Sequence, residues 1–332
     1  MTIDNLAAER RQDYDGASPF PEAEDHDLAG RTQVWVTAAI VIVPFAALGA
    51  AIFLAWGRGV TLTDLLLATA LYVVTGLGVT VGYHRLLTHS SFTARPWLRV
   101  TLAIAGSMGF QGNVIDWVAV HRRHHAFTDR PGDPHSPYRY GTGLRGQLRG
   151  LAHAHLGWLF VKDSTPAERY APDLLADPAM VKVARFFPAL CVLSLALPFA
   201  AGWAITGTLF GGLTAFLWAG LIRAALLQHV TWSVNSLCHV IGNRPFKTRR
   251  HDRSTNLWPL ALLSFGESWH NGHHSEPACA RHGVDRHQID PSAAMIGLFE
   301  RFGWASNVHW PDRQRVQRRR AGRSPERASA AD

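Results

Sequence analysis

The chain has 332 residues, 47% of them hydrophobic and 17% charged, with a formal charge of +8. Its three cysteines, Cys191, Cys238 and Cys279, form no CxxC pair, which argues against a disulfide-stapled secreted domain and a cysteine-rich zinc module. The cationic surplus alternates with long apolar blocks, a pattern that points to a membrane surface and acidic partners and away from nucleic acid.

Residues 1–32 are polar and mixed in charge, and are expected to form a flexible tail without a cleavable signal peptide. Residues 34–56 carry no charge and are long enough to cross a hydrocarbon core of roughly 30 Å. A short turn leads to a second expected span, 62–83, with Asp64 at its entrance and His84 where it leaves the membrane. Residues 84–180 are rich in Arg and His. Within them, 97–120 is apolar but broken by Gly, Asn and Asp, and reads as one buried or interfacial helix. Spans three and four are expected over 183–205, kinked by Pro188 and Pro198, and over 209–234, which contains Arg223. An intramembrane charge is either functional or paired toward the polar side. Residues 311–332 are low in complexity and read as a disordered basic tail.

The fold class is therefore an all-α membrane protein. Four transmembrane helices carry a helical cap, residues 84–180 and 235–310, that holds a His-rich dimetal centre. The short connections between spans are nearly uncharged, and most Lys and Arg lie in the cap and the C-terminal region. The charge rule for loops places both termini and the cap on the cytosolic side.

Nine of the 18 histidines fall in four short segments. "HRRHH" supplies His121, His124 and His125, and "HNGHH" supplies His270, His273 and His274. Both have i, i+3, i+4 spacing, which puts three rings on one helical face. "HRLLTH" supplies His84 and His89, and "NSLCH" supplies His239 with Asn235 one turn before it. His84 and His89 lie about 140° apart on an ideal α-helix. Either the helix ends between them, or they bind from different elements. The scattered His26, His135, His153, His155, His251, His282, His287 and His309 read as capping or interfacial residues. Clustered imidazoles disfavour each other's protonation, and a metal that binds the neutral ring offsets this. Nine rings exceed one coordination sphere and suit two ions. A nitrogen-rich set points to Fe, Zn, Cu or Ni.

These four boxes, in this order, resemble the integral-membrane fatty acid desaturases, and among them the acyl-CoA Δ9 (stearoyl-CoA-type) branch and its bacterial members. Supporting stretches are "GYHRLLTHSSF", "DWVAVHRRHHAFTDRPGDPHSP", "TWSVNSLCH" and "GESWHNGHH". The resemblance covers about residues 35–310. It implies O2-dependent removal of two hydrogens from an unactivated acyl chain at two Fe ions, with Zn found in their place after overexpression. It implies nine ligands, His84, His89, His121, His124, His125, His239, His270, His273 and His274, with Asn235 acting through water. Asn113, Trp117 and Trp232 match positions that line the acyl tunnel. Glu267, Asp116, Asp129 and Asp133 are candidates to hydrogen-bond ligand rings.

The implied partners are a fatty acyl-CoA or acyl-lipid, the lipid membrane, and an external electron donor, ferredoxin-like with its reductase or a cytochrome. The chain departs from animal acyl-CoA members, which carry Arg where Ala119 stands and basic residues where Val161, Lys162 and Asp163 stand. Arg122, Arg123, Arg139, Arg145 and Arg149 either bind phosphates or form a solvated face. The rival readings are a membrane hydroxylase of the same histidine-box superfamily and a metal-transport or metal-sensing membrane protein.

Overall fold

The computed structural model describes residues 31–55, 59–161 and 165–320. Residues 1–30 of the expected N-terminal tail, Trp56, Lys162, Asp163 and the chain from residue 321 onward lie outside them. Among the described residues the architecture is helical. The exception is one short ribbon, β1 (Thr93–Ala94) antiparallel to β2 (Ala305–Ser306), with Thr93 opposite Ser306.

Three helices are long and apolar enough to cross a membrane: Leu62–Thr88, Phe187–Thr206 and Leu209–His239. The first expected span is also an apolar helix, α1 (Arg31–Ala55), but its apolar stretch, Thr37–Phe53, is shorter than the other three. α1 starts inside what the sequence suggests is tail. It exposes Trp35 and Phe53 at 73% and 79%, an apolar surface of the kind that marks a membrane or protein contact.

α2 (Leu62–Leu77) begins at a capping box. Thr61 accepts from the Asp64 N–H at 3.1 Å, and Asp64 accepts from the Thr61 N–H at 3.2 Å. The buried Asp64 is thus a helix-start device. The helix does not end at residue 83 as expected. It continues as a π-wound segment, Gly78–Thr88. Gly78 allows that segment to meet the backbone of α3 (Pro96–Ser107) at Ala105 and Gly106, where a Cβ would not fit.

The expected single helix over 97–120 is two helices, α3 and α4 (Val114–Phe127). The turn between them holds Phe110 and Gly112 at φ of +58° and +98°. Asn113 caps α4 by accepting from the N–H groups of Ile115 and Asp116, both at 3.1 Å. Next come α5 (Leu144–His155) and α6 (Pro178–Arg185), followed by α7 (Phe187–Thr206). Pro188 lies in the first turn of α7, where its missing N–H is no loss, so it starts this helix instead of kinking it. Gly207, at φ +67°, closes α7, and α8 runs Leu209–His239.

Arg223 of α8 is buried. It donates to Ala219 O at 2.9 Å, to Ser194 Oγ of α7 at 2.9 Å, and to Met108 O at the C-terminal end of α3 at 3.4 Å. The guanidinium ties three helices together at the negative end of a helix dipole. Beyond α8 lie α9 (His270–Ser275), α10 (Pro291–Arg301) and α11 (Arg313–Arg319). α11 corrects the expectation of disorder from residue 311: Arg315 pairs with Glu276 at 3.0 Å, and the Lys247 N–H donates to Arg319 O at 2.7 Å. Leu98, Leu102, Val114, Val118, Ile296 and Phe299 belong to the apolar core that packs these elements together.

Candidate metal centre

Where the helical pattern separates His84 from His89, the π winding joins them. The His89 N–H donates to His84 O at 3.1 Å, an i to i+5 bond, which stacks residue i+5 over residue i. The two rings sit 4.8 Å apart. The helix neither ends between them nor gives way to another element.

The nine box histidines converge into two groups. His84, His89, His121, His125 and His273 form one; His124, His239, His270 and His274 form the other, and within each the candidate ligand atoms lie within 4.8 Å of one another. The "HRRHH" helix α4 serves both, with His121 and His125 on one and His124 on the other. α9 does the same, with His273 on the first group and His270 and His274 on the second.

Within the groups, Nε2 atoms face each other. His84 and His273 are 3.2 Å apart, His273 and His125 3.0 Å, His125 and His121 3.1 Å, and His239 and His270 3.0 Å. Ligands about 2.1 Å from a common metal, at right angles, would stand about 3.0 Å apart. The buried Nε2 atoms of His89, His124 and His274 have no hydrogen-bond partner. Unpartnered buried nitrogens are costly unless something binds them, so the residues fit two nitrogen-ligated ions. Burial holds His89, His121, His125, His270 and His273 well below the ordinary imidazole value, and neighbouring imidazoles push the same way. Burial therefore favours the neutral form of these five rings, which is the form that binds metal.

Carboxylates face the outer nitrogens. His84 Nδ1 lies 2.5 Å from Glu267, His124 Nδ1 3.0 Å from Asp133, His239 Nδ1 2.8 Å from Asp129, and His274 Nδ1 2.8 Å from Asp252. On His124, His239 and His274 the hydrogen-bonded carboxylate fixes the proton on Nδ1 and turns the Nε2 lone pair inward, while Glu267 lies against His84 as an ion-pair contact. Burial acts to raise Asp133 and Asp252, but their histidine partners hold both well below the usual carboxylate range. Glu267, Asp129 and Asp133 each lie against a box-histidine ring. Asp116 does not: it is exposed on α4 and accepts from Asn113 Nδ2 at 2.6 Å, because its position in the first turn points it away from the rings.

Sequence reasoning misses Asp252, and it assigns His282 and His135 to caps or interfaces. Both histidines are buried against box rings. His282 lies 4.4 Å from His273, with its Nδ1 3.4 Å from Glu267, and His135 lies 4.5 Å from His124. The signal available for Asp252 was its place as the sole carboxylate among five cations in residues 244–253.

An open apolar cavity adjoins the two groups. Its walls include Val79, Leu227, Val230 and Phe265, and His84, His121, His270 and Glu267 line it too. Trp117, stacked on His121 at 5.0 Å and 15°, and Asn235 also line it. Asn113 and Trp232 are not among its lining residues: Asn113 caps α4, and Trp232 packs against His155 and His229.

A carboxylate-backed imidazole cage at the ends of apolar helices, opening onto an apolar cavity, defines a membrane-associated, metal-binding protein of the histidine-box class. Comparison carries this further. The fatty acid desaturase family model matches residues 60–304. The chain is 36% identical over 278 residues to hex-5-enoyl-[acyl-carrier protein] acetylenase of Moorena producens (strain JHB), covering 83% of this chain and 86% of that protein. It is 40% identical over 253 residues to Delta-9 acyl-lipid desaturase 1 of Arabidopsis thaliana, covering 76% and 77%. It is 35% identical over 251 residues to sn-1 stearoyl-lipid 9-desaturase of Anabaena variabilis, covering 74% and 84%. The chain belongs to the fatty acid desaturase family, in its Δ9 branch, and is an oxidoreductase of lipid metabolism.

Proposed function

We propose that this chain carries out O2-dependent Δ9 desaturation of a long-chain fatty acyl group, using two irons held by the nine box histidines. The observation that carries the reading is the meeting of the two imidazole groups with the apolar cavity at His84, His121 and His270. When bound, the irons supply the reduction of O2 and the removal of two C–H hydrogens. The chain's own residues hold and orient. Neutral rings bind through Nε2, Asp129, Asp133 and Asp252 fix the protons on Nδ1 of their histidines, and Glu267 packs against His84. Valine, leucine and phenylalanine walls exclude water and fix which carbons lie nearest the cage. Asn235, which lines the same cavity as His270, would hold a metal-bound water.

The acyl carrier we favour is a membrane lipid. Two of the relatives are named as lipid desaturases, and Ala119, where animal acyl-CoA members carry Arg, is fully buried. Acyl-CoA is the alternative, with Arg139, Arg145 and Arg149 as its phosphate partners. Arg122 is already engaged by Asp173 and by the main chain at Leu87. The charge distribution supports four spans, counting α1, with both termini and the cage on the cytosolic side. Electrons arrive from an external ferredoxin-like or cytochrome donor.

The test is expression in a desaturase-deficient host fed deuterated stearate, with fatty acids read by mass spectrometry beside a His124→Ala control. A monounsaturated acid that disappears in the control supports the reading, and its fragmentation locates the double bond. A hydroxy acid would move the protein to the hydroxylases. Metal flux into proteoliposomes without any modified acid would move it to the transporters.

A further inference from the structure

Resting on the desaturase reading, we infer that residues 244–253, together with α11, form the docking surface for an acidic one-electron carrier protein. Turning –CH2–CH2– into –CH=CH– releases two electrons and two protons. Reducing O2 to two waters consumes four of each. Two electrons and two protons must therefore come from outside, and the electrons need an entry point next to the cage.

The 244–253 stretch has two faces. Its outer face exposes Arg244, Lys247, Arg249, Arg250 and Arg253, and its sole carboxylate, Asp252, is turned inward onto His274. α11 extends the same surface with Arg313 and Arg318, joined to the stretch by the Lys247–Arg319 main-chain bond. The inner face bonds to two box histidines and to the carboxylate that holds a third. Arg249 donates to His125 O at 2.8 Å, Asp252 meets His274 Nδ1, and the Arg253 N–H shares Asp129 with His239 at 2.8 Å. A carrier seated on these cations is therefore separated from the cage by single side chains and hydrogen bonds.

A soluble protein fits this surface better than a lipid headgroup. No large apolar side chain is exposed between Ile241 and Trp258, whereas a segment that lies in a membrane interface carries apolar anchors among its cations. Charge complementarity of this kind steers encounter and weakens with salt.

The test uses the full-length, iron-loaded chain and the double variant Lys247→Glu/Arg250→Glu, whose side chains are exposed and lie outside the cage. The probe is an acidic [2Fe–2S] ferredoxin. Its dissociation constant is measured by calorimetry, and its KM is measured with its reductase at several ionic strengths. The dissociation constant and KM should each rise about tenfold at low salt with kcat retained, and the salt dependence should flatten. Lys247→Gln/Arg250→Gln should fall between. Unchanged ferredoxin binding in the double variant would overturn the surface. So would a loss confined to binding of vesicles rich in anionic lipid, which would make it a lipid contact. A separate measurement isolates the underlying reading: chemically reduced wild type and variant, given O2 once, should form equal product. Failure of the wild type there would strike the desaturase reading, and the calorimetry would still decide the surface.

Discussion

The two histidine groups are built differently. In the His124, His239, His270, His274 group, three of four rings have a buried aspartate on the outer nitrogen: Asp133, Asp129 and Asp252. In the five-membered group, His84 has Glu267 and the other four rings have no such carboxylate contact among the described residues. The first group is locked in tautomer and orientation by acids drawn from two separate loops. The second is held mainly by packing of ring on ring, such as His273 between His84 and His282. Two of its rings, His84 and His121, line the cavity, against one, His270, from the acid-backed group. The acid-backed group holds its rings in fixed orientations; the packed group turns more of its rings toward the space that would take the acyl chain.

The largest effect should come from removing a ring. His124→Ala should abolish unsaturated product and strip metal from the four-membered group, read by mass spectrometry and by iron per chain. His89→Ala should abolish product as well but leave the other metal in place. If either substitution empties both positions, the groups are one cooperative unit and the contrast drawn above fails.

Removing an acid should act less. Asp252→Asn should weaken metal retention by about 10- to 100-fold through loss of orientation at His274. Glu267→Gln should weaken the five-membered group by a similar factor, and it should also disturb Arg85, which donates to Glu267 at 3.1 Å and pairs with Asp290 at 3.0 Å. Competition with a graded chelator separates the two: each variant should lose one metal early and the other at the wild-type concentration.

The two HxxHH boxes were legible because their spacing works on an ordinary helix, as α4 shows. His84 and His89 were misread geometrically, because nothing in a pattern of residue types announces that a helix will wind with i to i+5 bonds. Asp252 was invisible to motif reasoning because it reaches His274 from 22 positions away, across a loop. Asp116 was overvalued for the opposite reason: it is near the box in sequence, but it sits on the wrong side of α4. The four apolar stretches were legible from composition. The division of the 97–120 region was not, since the break depends on left-handed backbone at Phe110 and Gly112.

Acid should loosen the metal-free protein gradually. Burial is the main cause that lowers His135, beside His124, to about 3, and it lowers His89, His121, His125 and His273 in the same direction. A histidine whose folded value is depressed binds fewer protons folded than unfolded between the two values. Stability is therefore complete above about 6.5 and is lost as the pH falls toward about 3 for His135. Thermal unfolding of chelator-treated protein should show a falling Tm over that window. The metal-loaded protein should hold its Tm further into acid, because bound metal keeps the rings neutral. Equal slopes for both forms would mean that the metals are not on these rings.

The smallest effect tests whether burial and partner, rather than nearness in sequence, decide which acids matter. Asp116 is five residues before His121, closer in sequence than any of the four cage acids is to its own ring, the nearest of them being Asp133, nine residues after His124. Yet it is exposed, and its partners are Asn113 and the start of α4. Asp116→Asn removes only a favourable charge at a helix N-terminus, an effect of about 0.3–1 kcal/mol on stability. Iron content, product yield and chelator resistance should stay at wild-type values, while Tm drops slightly. A loss of metal comparable to Asp252→Asn would show that the cage depends on the orientation of the whole α4 helix start, and the carboxylates on the Nδ1 atoms would no longer account for the difference between the two groups.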